Sequence, residues 1–174
     1  MNNFYNDYVI FDIETTGLDC INDEIIELGA IKVKDNEIVE EFNYLINPKK
    51  ELPEVIINIT GIKDEDLKDK ETIDVILPKF IKFIGNYPLL AHNNSFDLSF
   101  INENIKKLNL NKLNNTMVDT LELSRKYLTH MYSHKLETLK KYYGINEVSH
   151  RAVGDCKTTK HVYDEIKKKA GVLN

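Results

Sequence analysis

Two carboxylic acids, Asp12 and Glu14, stand two residues apart near the start of the chain. Side chains alternate between the two faces of a β-strand, so a strand through this segment would point both acids to the same side. Adjacent carboxylates repel each other and resist joint ionisation unless a cation lies between them. The pair is therefore a candidate for binding a divalent metal ion, although two solvated acids at the end of a strand would give the same pattern.

A third acid, Asp97, follows a short apolar run and the dipeptide Asn94-Ser95, whose side chains favour the start of a helix. Asp97 would then lie in the first helical turn, where the helix dipole also favours a negative charge. Helix-end electrostatics alone would explain an acid at this position, so Asp97 by itself is ambiguous. Of its neighbours, Phe96 is more typical of a hydrophobic core than of a base-stacking position, and His92 is more typical of a structural histidine than of a ligand.

Near the C-terminus, His150 precedes Asp155 by five residues. Asp155 adjoins the apolar stripe of the last predicted helix, so it should lie at the boundary of the core, where a carboxylate needs a partner. His150, just before that helix, could reach the same cleft, and an imidazole group can accept a proton near neutral pH. A capping histidine and an isolated surface acid are the alternative.

Five short segments of apolar or β-branched composition predict the strands that would carry or adjoin these residues. The predicted strands are residues 8–13, 24–33, 37–46, 88–91 and 117–119. A Thr-Thr-Gly turn follows the first strand, and a loop opens at Asn47-Pro48 after the third.

Apolar residues at helical spacing predict five helices after the third strand. They lie near residues 73–84, 98–108, 121–128, 135–143 and 152–166. Pro78 should kink the first of them or delay its start, and Gly144 should end the fourth. Three strands followed by strands that alternate with helices indicate an α/β domain built on one mixed sheet.

Composition narrows the class of protein. The 174 residues fit one compact domain, and no apolar run reaches the roughly 18 residues of a membrane helix. The N-terminus lacks a secretory signal, and two cysteines, Cys20 and Cys156, cannot build a disulfide framework, so a cytoplasmic protein with no membrane partner is expected. The net charge of −5 argues against a protein that coats phosphates, but carboxylates that recruit metal ions escape that rule.

Taken together, the three chemical segments resemble one enzyme family. They are Asp12-Ile13-Glu14-Thr15-Thr16-Gly17, His92-Asn93-Asn94-Ser95-Phe96-Asp97 and His150-Arg151-Ala152-Val153-Gly154-Asp155. The chain is similar in them to the DEDDh exonucleases, which include the proofreading epsilon subunit of DNA polymerase III and the exonuclease domain of PolC-type polymerases. The resemblance runs from about Tyr8 to Ala170 and takes in residues 58–62 and 133–136. No catalytic position departs from the pattern, and a histidine five residues before the last aspartate is typical of the histidine branch.

The resemblance implies a ribonuclease H-like fold, with a central mixed five-stranded sheet whose first three strands are antiparallel, flanked by helices. It implies two divalent cations, Mg²⁺ or Mn²⁺, held by Asp12, Glu14, Asp97 and Asp155, with His150 as the general base. Two metal ions can stabilise both the attacking and the leaving oxygen of a phosphodiester hydrolysis. The expected substrate contacts are made by Thr15 and Thr16 at the terminal sugar, by Phe96 and Ile62 along the last bases, and by the neighbouring His92 and Asn93.

The implied substrate is nucleic acid with a free 3′ end, single-stranded DNA preferred over RNA, and a DNA polymerase is a candidate partner. An RNA-directed exonuclease of the same family would need contacts to the 2′-OH, which no motif here indicates. A catalytically silent binding module would have lost an acid or the histidine. A dinucleotide-binding enzyme is disfavoured because no G-x-G-x-x-G follows a strand.

The C-terminal residues do not decide whether the chain acts alone or with a partner. The chain ends at Asn174, soon after the last predicted helix, so a stand-alone enzyme, a truncated protein and a domain docked on a partner by its surface all fit. Three consecutive lysines at 167–169 could contact a phosphate backbone, but a solvated helix end is the favoured explanation.

Overall fold

The computed structural model describes residues 4–173 and places five strands of that range in one mixed sheet. The strands are β1 (Tyr8–Thr15), β2 (Ile25–Lys34), β3 (Glu37–Leu45), β4 (Leu89–Ala91) and β5 (Met117–Asp119). Their order across the sheet is β3-β2-β1-β4-β5. The first three pair antiparallel, whereas β4 runs parallel to both β1 and β5. The predicted ribonuclease H-like sheet is confirmed.

Seven helices occur in the same range, and five of them are the predicted ones. They are α1 (Glu54–Thr60), α2 (Asp64–Leu67), α3 (Ile73–Ile84), α4 (Asn94–Lys107), α5 (Thr120–Tyr127), α6 (Leu136–Tyr143) and α7 (Ala152–Lys169). The sequence did not indicate α1 and α2, because they are only seven and four residues long and each buries a single residue. Pro78 does not delay the start of α3, which buries Ile76, Leu77, Phe80 and Ile84.

The alternation of side chains along β1 divides the protein into two hydrophobic layers. Val9, Phe11 and Ile13 pack on one face of the sheet with α3 and α4. Tyr8 and Ile10 pack on the other face, with α5, α6 and α7. Continuing that alternation puts Asp12 and Glu14 on the α7 face, at the end of the strand where the apolar layer stops.

Helix α7 rests directly on β2 at a glycine. A Cβ atom added to Gly29 would lie 2.6 Å from the Cβ of Ala152 and 2.7 Å from the backbone N of Val153, so only glycine fits there. Gly29 is also the cross-strand partner of Asp12. The first turn of α7 is therefore held one strand away from the acids of β1.

No helix in the described range is both long and apolar enough to cross a lipid bilayer.

Candidate functional site

The four candidate acids come from three elements that meet at one edge of the sheet. Asp12 and Glu14 lie on β1, Asp97 in the first turn of α4, and Asp155 in the first turn of α7. Helix α4 begins three residues after β4, which is parallel to β1, so both strands deliver their acids at the same carboxyl edge. Each of the other three acids acts electrostatically on Asp12, so the four form one cluster.

Asp97 is fixed to the strand that carries the first two acids. Its Oδ1 atom accepts a hydrogen bond of 3.2 Å from the backbone N–H of Ile13, the residue between Asp12 and Glu14. Only 4% of Asp97 is exposed. The helix start and the strand end are therefore joined by the carboxylate itself.

His150 and Asp155 are joined in a similar way. The backbone N–H of His150 donates to Asp155 Oδ2 at 2.9 Å, and His150 has the left-handed backbone conformation, with φ of 57°. The preceding loop lies against α7, since a Cβ atom on Gly154 would be 2.1 Å from the carbonyl oxygen of Val148. This close approach holds the exposed His150 beside the half-buried Asp155.

Three side chains of this cluster bring possible metal ligands close together. One possible ligand atom each from Glu14, His150 and Asp155 lie within 4.8 Å of one another. Asp12 and Asp97 are not members of that group of three. Carboxylate oxygens are the ligands that Mg²⁺ and Mn²⁺ prefer, and the four acids outnumber the cations beside them, so the donor set suits hard divalent ions.

Burial raises the pKa of all four acids, and repulsion between the acids of the cluster raises the pKa of Asp12 and Glu14 further. Burial, then Asp97, Asp155, Glu14 and Glu27, raise the pKa of Asp12 well above its usual range. Burial and neighbouring carboxylates raise the pKa of Glu14 to about 8. Burial raises the pKa of Asp97 to about 7 and that of Asp155 to about 6. Carboxylates raised in this way need a compensating positive charge to ionise at neutral pH.

Sequence reasoning missed a fifth acid, Glu27, which is fully buried on β2 directly opposite Glu14. Its carboxylate accepts from Arg151 Nε and Nη2, each at 3.1 Å, and from the backbone N–H of Ala152 at 3.2 Å. Ala152 is the first residue of α7, so Glu27 and Arg151 clamp the start of the helix that carries Asp155. The available signal was an acid within an otherwise apolar strand.

The two threonines expected at the terminal sugar lie beside the cluster but are engaged within the protein. Thr15 and Thr16 are 7% and 3% exposed. Thr15 Oγ1 donates to the carbonyl of Gly17 at 2.6 Å, and Thr16 Oγ1 donates to Asp23 Oδ1 at 3.0 Å. These bonds shape the turn after β1.

The remaining expected contacts differ in how accessible they are. Phe96 is half-buried against Phe100, with ring centroids 5.1 Å apart, and Asn93 is exposed. His92 uses both ring nitrogens within the protein, Nδ1 with Thr120 Oγ1 at 3.0 Å and Nε2 with the carbonyl of His134 at 2.8 Å. Ile62 is 3% exposed and packs in a separate small cluster with Ile26, Leu52 and Leu67.

The sequence of the chain is similar to an exonuclease family and to PolC-type DNA polymerases. Residues 9–163 match the RNase T family model, described as exonuclease. The chain is 43% identical over 164 residues to DNA polymerase III PolC-type of Caldanaerobacter subterraneus, covering 94% of this chain and 12% of that protein. It is 44% identical over 153 residues to the PolC-type polymerase of Bacillus cereus, covering 87% of this chain and 11% of that protein. The chain thus spans about an eighth or less of the length of these relatives.

Solved structures with the same fold include two exonucleases. Exonuclease X in complex with 5′ overhanging duplex DNA superposes with a TM-score of 0.75 at 25% identity, covering 94% of this chain and 93% of that one. Escherichia coli exonuclease I in complex with a dT13 oligonucleotide gives a TM-score of 0.83 at 18% identity, covering 96% of this chain and 42% of that one. From the family match over most of its length and the residues at the edge of its sheet, the chain belongs to the exonuclease family.

Proposed function

We propose that this chain is a metal-dependent 3′→5′ exonuclease that hydrolyses the 3′-terminal phosphodiester of DNA and releases 5′-mononucleotides. The observation that carries the proposal is the meeting of Asp12, Glu14, Asp97 and Asp155 at one sheet edge with His150 beside them. A silent binding module would not need to maintain four mutually repelling, desolvated acids.

Asp12, Glu14, Asp97 and Asp155 would hold two Mg²⁺ or Mn²⁺ ions. When bound, such ions stabilise the charge that develops on the attacking and leaving oxygens of the displacement. The four carboxylates would hold that positive charge at the end of β1. Because their pKa values are raised in the protein alone, their ionisation and the binding of cations are linked.

His150 is the proposed general base. Its backbone N–H bonds Asp155, and a nitrogen of its ring lies within 4.8 Å of carboxylate oxygens of Glu14 and Asp155. The imidazole accepts a proton from the attacking water as the water oxygen bonds to phosphorus. The bond between phosphorus and the 3′-oxygen of the preceding nucleotide breaks, that oxygen takes up a proton from solvent, and the terminal nucleotide leaves with a 5′-phosphate. His150 then returns its proton to solvent.

Substrate contacts are proposed in two groups, according to exposure. Phe96 and Asn93 present accessible surface to the terminal nucleotide. Thr15, Thr16, Ile62 and His92 make their contacts within the protein, so they would serve substrate binding by shaping the site.

The choice of DNA and of a replication context is supported by the relatives. The similar proteins from Caldanaerobacter and Bacillus are PolC-type DNA polymerases, and the exonuclease X structure holds DNA. We propose a proofreading or repair role on a single-stranded 3′ end, a DNA polymerase as partner, residues 1–174 acting as one exonuclease domain, and action in the cytoplasm.

The test uses 5′-labelled oligonucleotides of DNA and RNA, single- and double-stranded, with Mg²⁺ or Mn²⁺. Stepwise shortening from the 3′ end of single-stranded DNA is expected, with 5′-mononucleotides as products. EDTA should stop it, and Ca²⁺ should support it poorly because its longer, looser coordination misplaces the reacting groups. Degradation from the 5′ end, unchanged activity in EDTA or a preference for RNA would contradict the proposal, and Asp12→Asn is the inactive control.

A further inference from the structure

A second concave site adjoins the acidic cluster, and its lining is basic. We call it the basic pocket, a cavity of about 690 Å³ whose lining includes Arg125, Tyr132, Ser133, His134, Lys135 and Asn93. None of the described residues that line it is an aspartate or glutamate. For a chain with a net charge of −5, a cavity lined by cations and no acids is an unusual local balance.

The basic pocket lies close to the acidic cluster. Its wall includes His92 and Asn93, which directly follow β4 and lie just before α4, whose first turn carries Asp97. Four residues of helix span roughly 6 Å, so the pocket wall comes within about one nucleotide of the cluster. The pocket also adjoins the start of α5, directly after β5, so it opens at the same carboxyl edge of the sheet.

The cations of the pocket are available to a ligand. Arg125 and Lys135 are exposed, and within residues 4–173 neither has a carboxylate oxygen within 4.0 Å. By contrast, neighbouring Lys141 pairs with Glu137 at 3.4 Å. Cations free of such pairs can neutralise phosphates without first breaking a protein contact.

Tyr132 adds an aromatic surface that contributes nothing to the core. It is 90% exposed, the most exposed of the large apolar and aromatic side chains in the described range. An exposed aromatic ring beside free cations is the combination that single-stranded nucleic acids use, since bases stack on the ring and phosphates meet the cations.

The loop that carries Tyr132 and Lys135 is held in place by buried and partly buried polar contacts. His92 Nε2 bonds the carbonyl of His134, and His134 Nδ1 bonds Ser124 Oγ at 3.1 Å. His92 Nδ1 bonds Thr120 Oγ1, which in turn donates to the carbonyl of Ala91. This chain of bonds ties the loop between α5 and α6 to the end of β4, so the pocket is a built feature.

We propose that the basic pocket binds the sugar-phosphate backbone of the nucleic-acid strand upstream of its 3′-terminal nucleotide, with a base stacked on Tyr132. The inference rests on the proposed function and adds to it a binding site for the part of the strand that is not being cleaved. Arg125 and Lys135 contact the phosphates, and the acidic cluster acts only on the last one.

The binding test compares two charge-matched double variants. Arg125→Ala/Lys135→Ala removes the pocket cations, and Lys82→Ala/Lys112→Ala removes two exposed lysines at the opposite edge of the sheet, before β4 and β5. Binding of a 5′-fluorescent dT12 strand is measured by anisotropy in Ca²⁺ at several salt concentrations. The pocket variant should bind about tenfold more weakly than the control, and its slope of log affinity against log salt should be smaller by about 1.4, for two lost phosphate contacts.

Tyr132 is tested separately from the charges. Tyr132→Ala should weaken binding about tenfold through lost stacking, whereas Tyr132→Phe keeps the ring and should bind like wild type. Thermal melting checks that each variant is folded, and Arg125→Gln/Lys135→Gln replaces the alanine pair if that variant is unfolded.

Kinetics in Mg²⁺ separate this inference from the proposed function. For the pocket variant, KM for dT12 should rise about tenfold, while kcat and hydrolysis of the p-nitrophenyl ester of thymidine 5′-monophosphate, which has no upstream nucleotide, stay within twofold. If wild type trims dT12 but the pocket variant matches the control in Kd and KM, the inference is overturned and the proposed function stands. Equal loss of ester hydrolysis also overturns it. A wild type inactive on both substrates would overturn the proposed function.

Discussion

At the scale of single residues, a hydrogen bond joins His150 to Asp155. The backbone N–H of His150, and not its ring, donates to Asp155. This bond positions the residue and leaves the ring nitrogens out of the contact. A histidine that only capped α7 would have its side chain engaged with the backbone of that helix. In the described range its ring instead has a nitrogen within 4.8 Å of carboxylate oxygens of Glu14 and Asp155.

Replacing the imidazole should therefore affect the rate much more than the stability. We expect His150→Ala to lower kcat by about 10²–10⁴-fold with Mn²⁺ affinity nearly unchanged, because a general base is lost and the carboxylates stay. Single-turnover rates and thermal melts measure the two effects. His161→Ala, an exposed histidine of α7, is the control. A kcat within a few-fold of wild type, together with a lower Tm, would mean that His150 serves only the structure.

At the scale of elements, the ion pair of Glu27 and Arg151 joins β2 to the start of α7. Glu27 is 0% exposed on β2, and the only cation bonded to it in the described range is Arg151 at the start of α7. A buried carboxylate without a cation is costly, and here it would also face Glu14 across the strand pair. The pair therefore sets where α7 begins relative to β1 and β2.

Removing the cation alone should be worse than removing both members of the pair. We expect Arg151→Ala to lower the free energy of unfolding by about 2 kcal/mol, less than the 3–5 kcal/mol of fully buried pairs, since the Arg151 side chain is 41% exposed. Glu27→Gln/Arg151→Ala should recover part of that loss, because no buried charge is left. Urea unfolding of the single and double variants in EDTA measures it, and equal destabilisation of Arg151→Ala and the double variant would show that the two residues are not coupled.

For the whole molecule, the acids of β1, α4 and α7 are a source of instability until a cation joins them. Burial and the neighbouring acids raise the pKa of Asp12, so the metal-free fold loses free energy of unfolding as the pH rises and the cluster ionises. The fold favours the protonated form of Asp12. The stability that this preference contributes is fully present below the ordinary pKa of an aspartate and is lost as the pH rises through the raised pKa. Metal ions relieve the repulsion in the native state alone.

Asp12→Asn should therefore leave the Tm of the metal-free protein at pH 8 unchanged or raise it. Wild type should gain RT ln(1 + [L]/Kd) on adding Mn²⁺, about 2.7 kcal/mol at a hundredfold excess over Kd, and Asp12→Asn should lose most of that gain together with activity. Thermal melts with and without Mn²⁺ measure both, and Asp69→Asn, an exposed acid, should behave as wild type. If all three proteins shift alike on adding Mn²⁺, the acids do not form one metal site.

Local periodicity explains what the sequence alone determined. The alternation of apolar residues in β1 put Asp12 and Glu14 on one face, and helical spacing located α3 to α7, because these patterns depend on neighbours a few residues away. The helix-start residues Asn94 and Ser95 assigned Asp97 to a first helical turn, and the apolar stripe of the last helix placed Asp155 beside it. Helices α1 and α2 were not recognised, since each is short and buries one residue, so its few apolar contacts leave no periodic signal.

Contacts between distant residues were decided by the tertiary structure. The bond from Ile13 to Asp97 joins residues 84 positions apart, and the pair of Glu27 with Arg151 joins residues 124 apart. Neither contact can be predicted from the residues nearby in sequence. Both depend on the register of the strands and on the close packing of α7 against Gly29. The basic pocket depends in the same way on His92 reaching the carbonyl of His134, 42 residues away, so its free cations became visible only once the chain was folded.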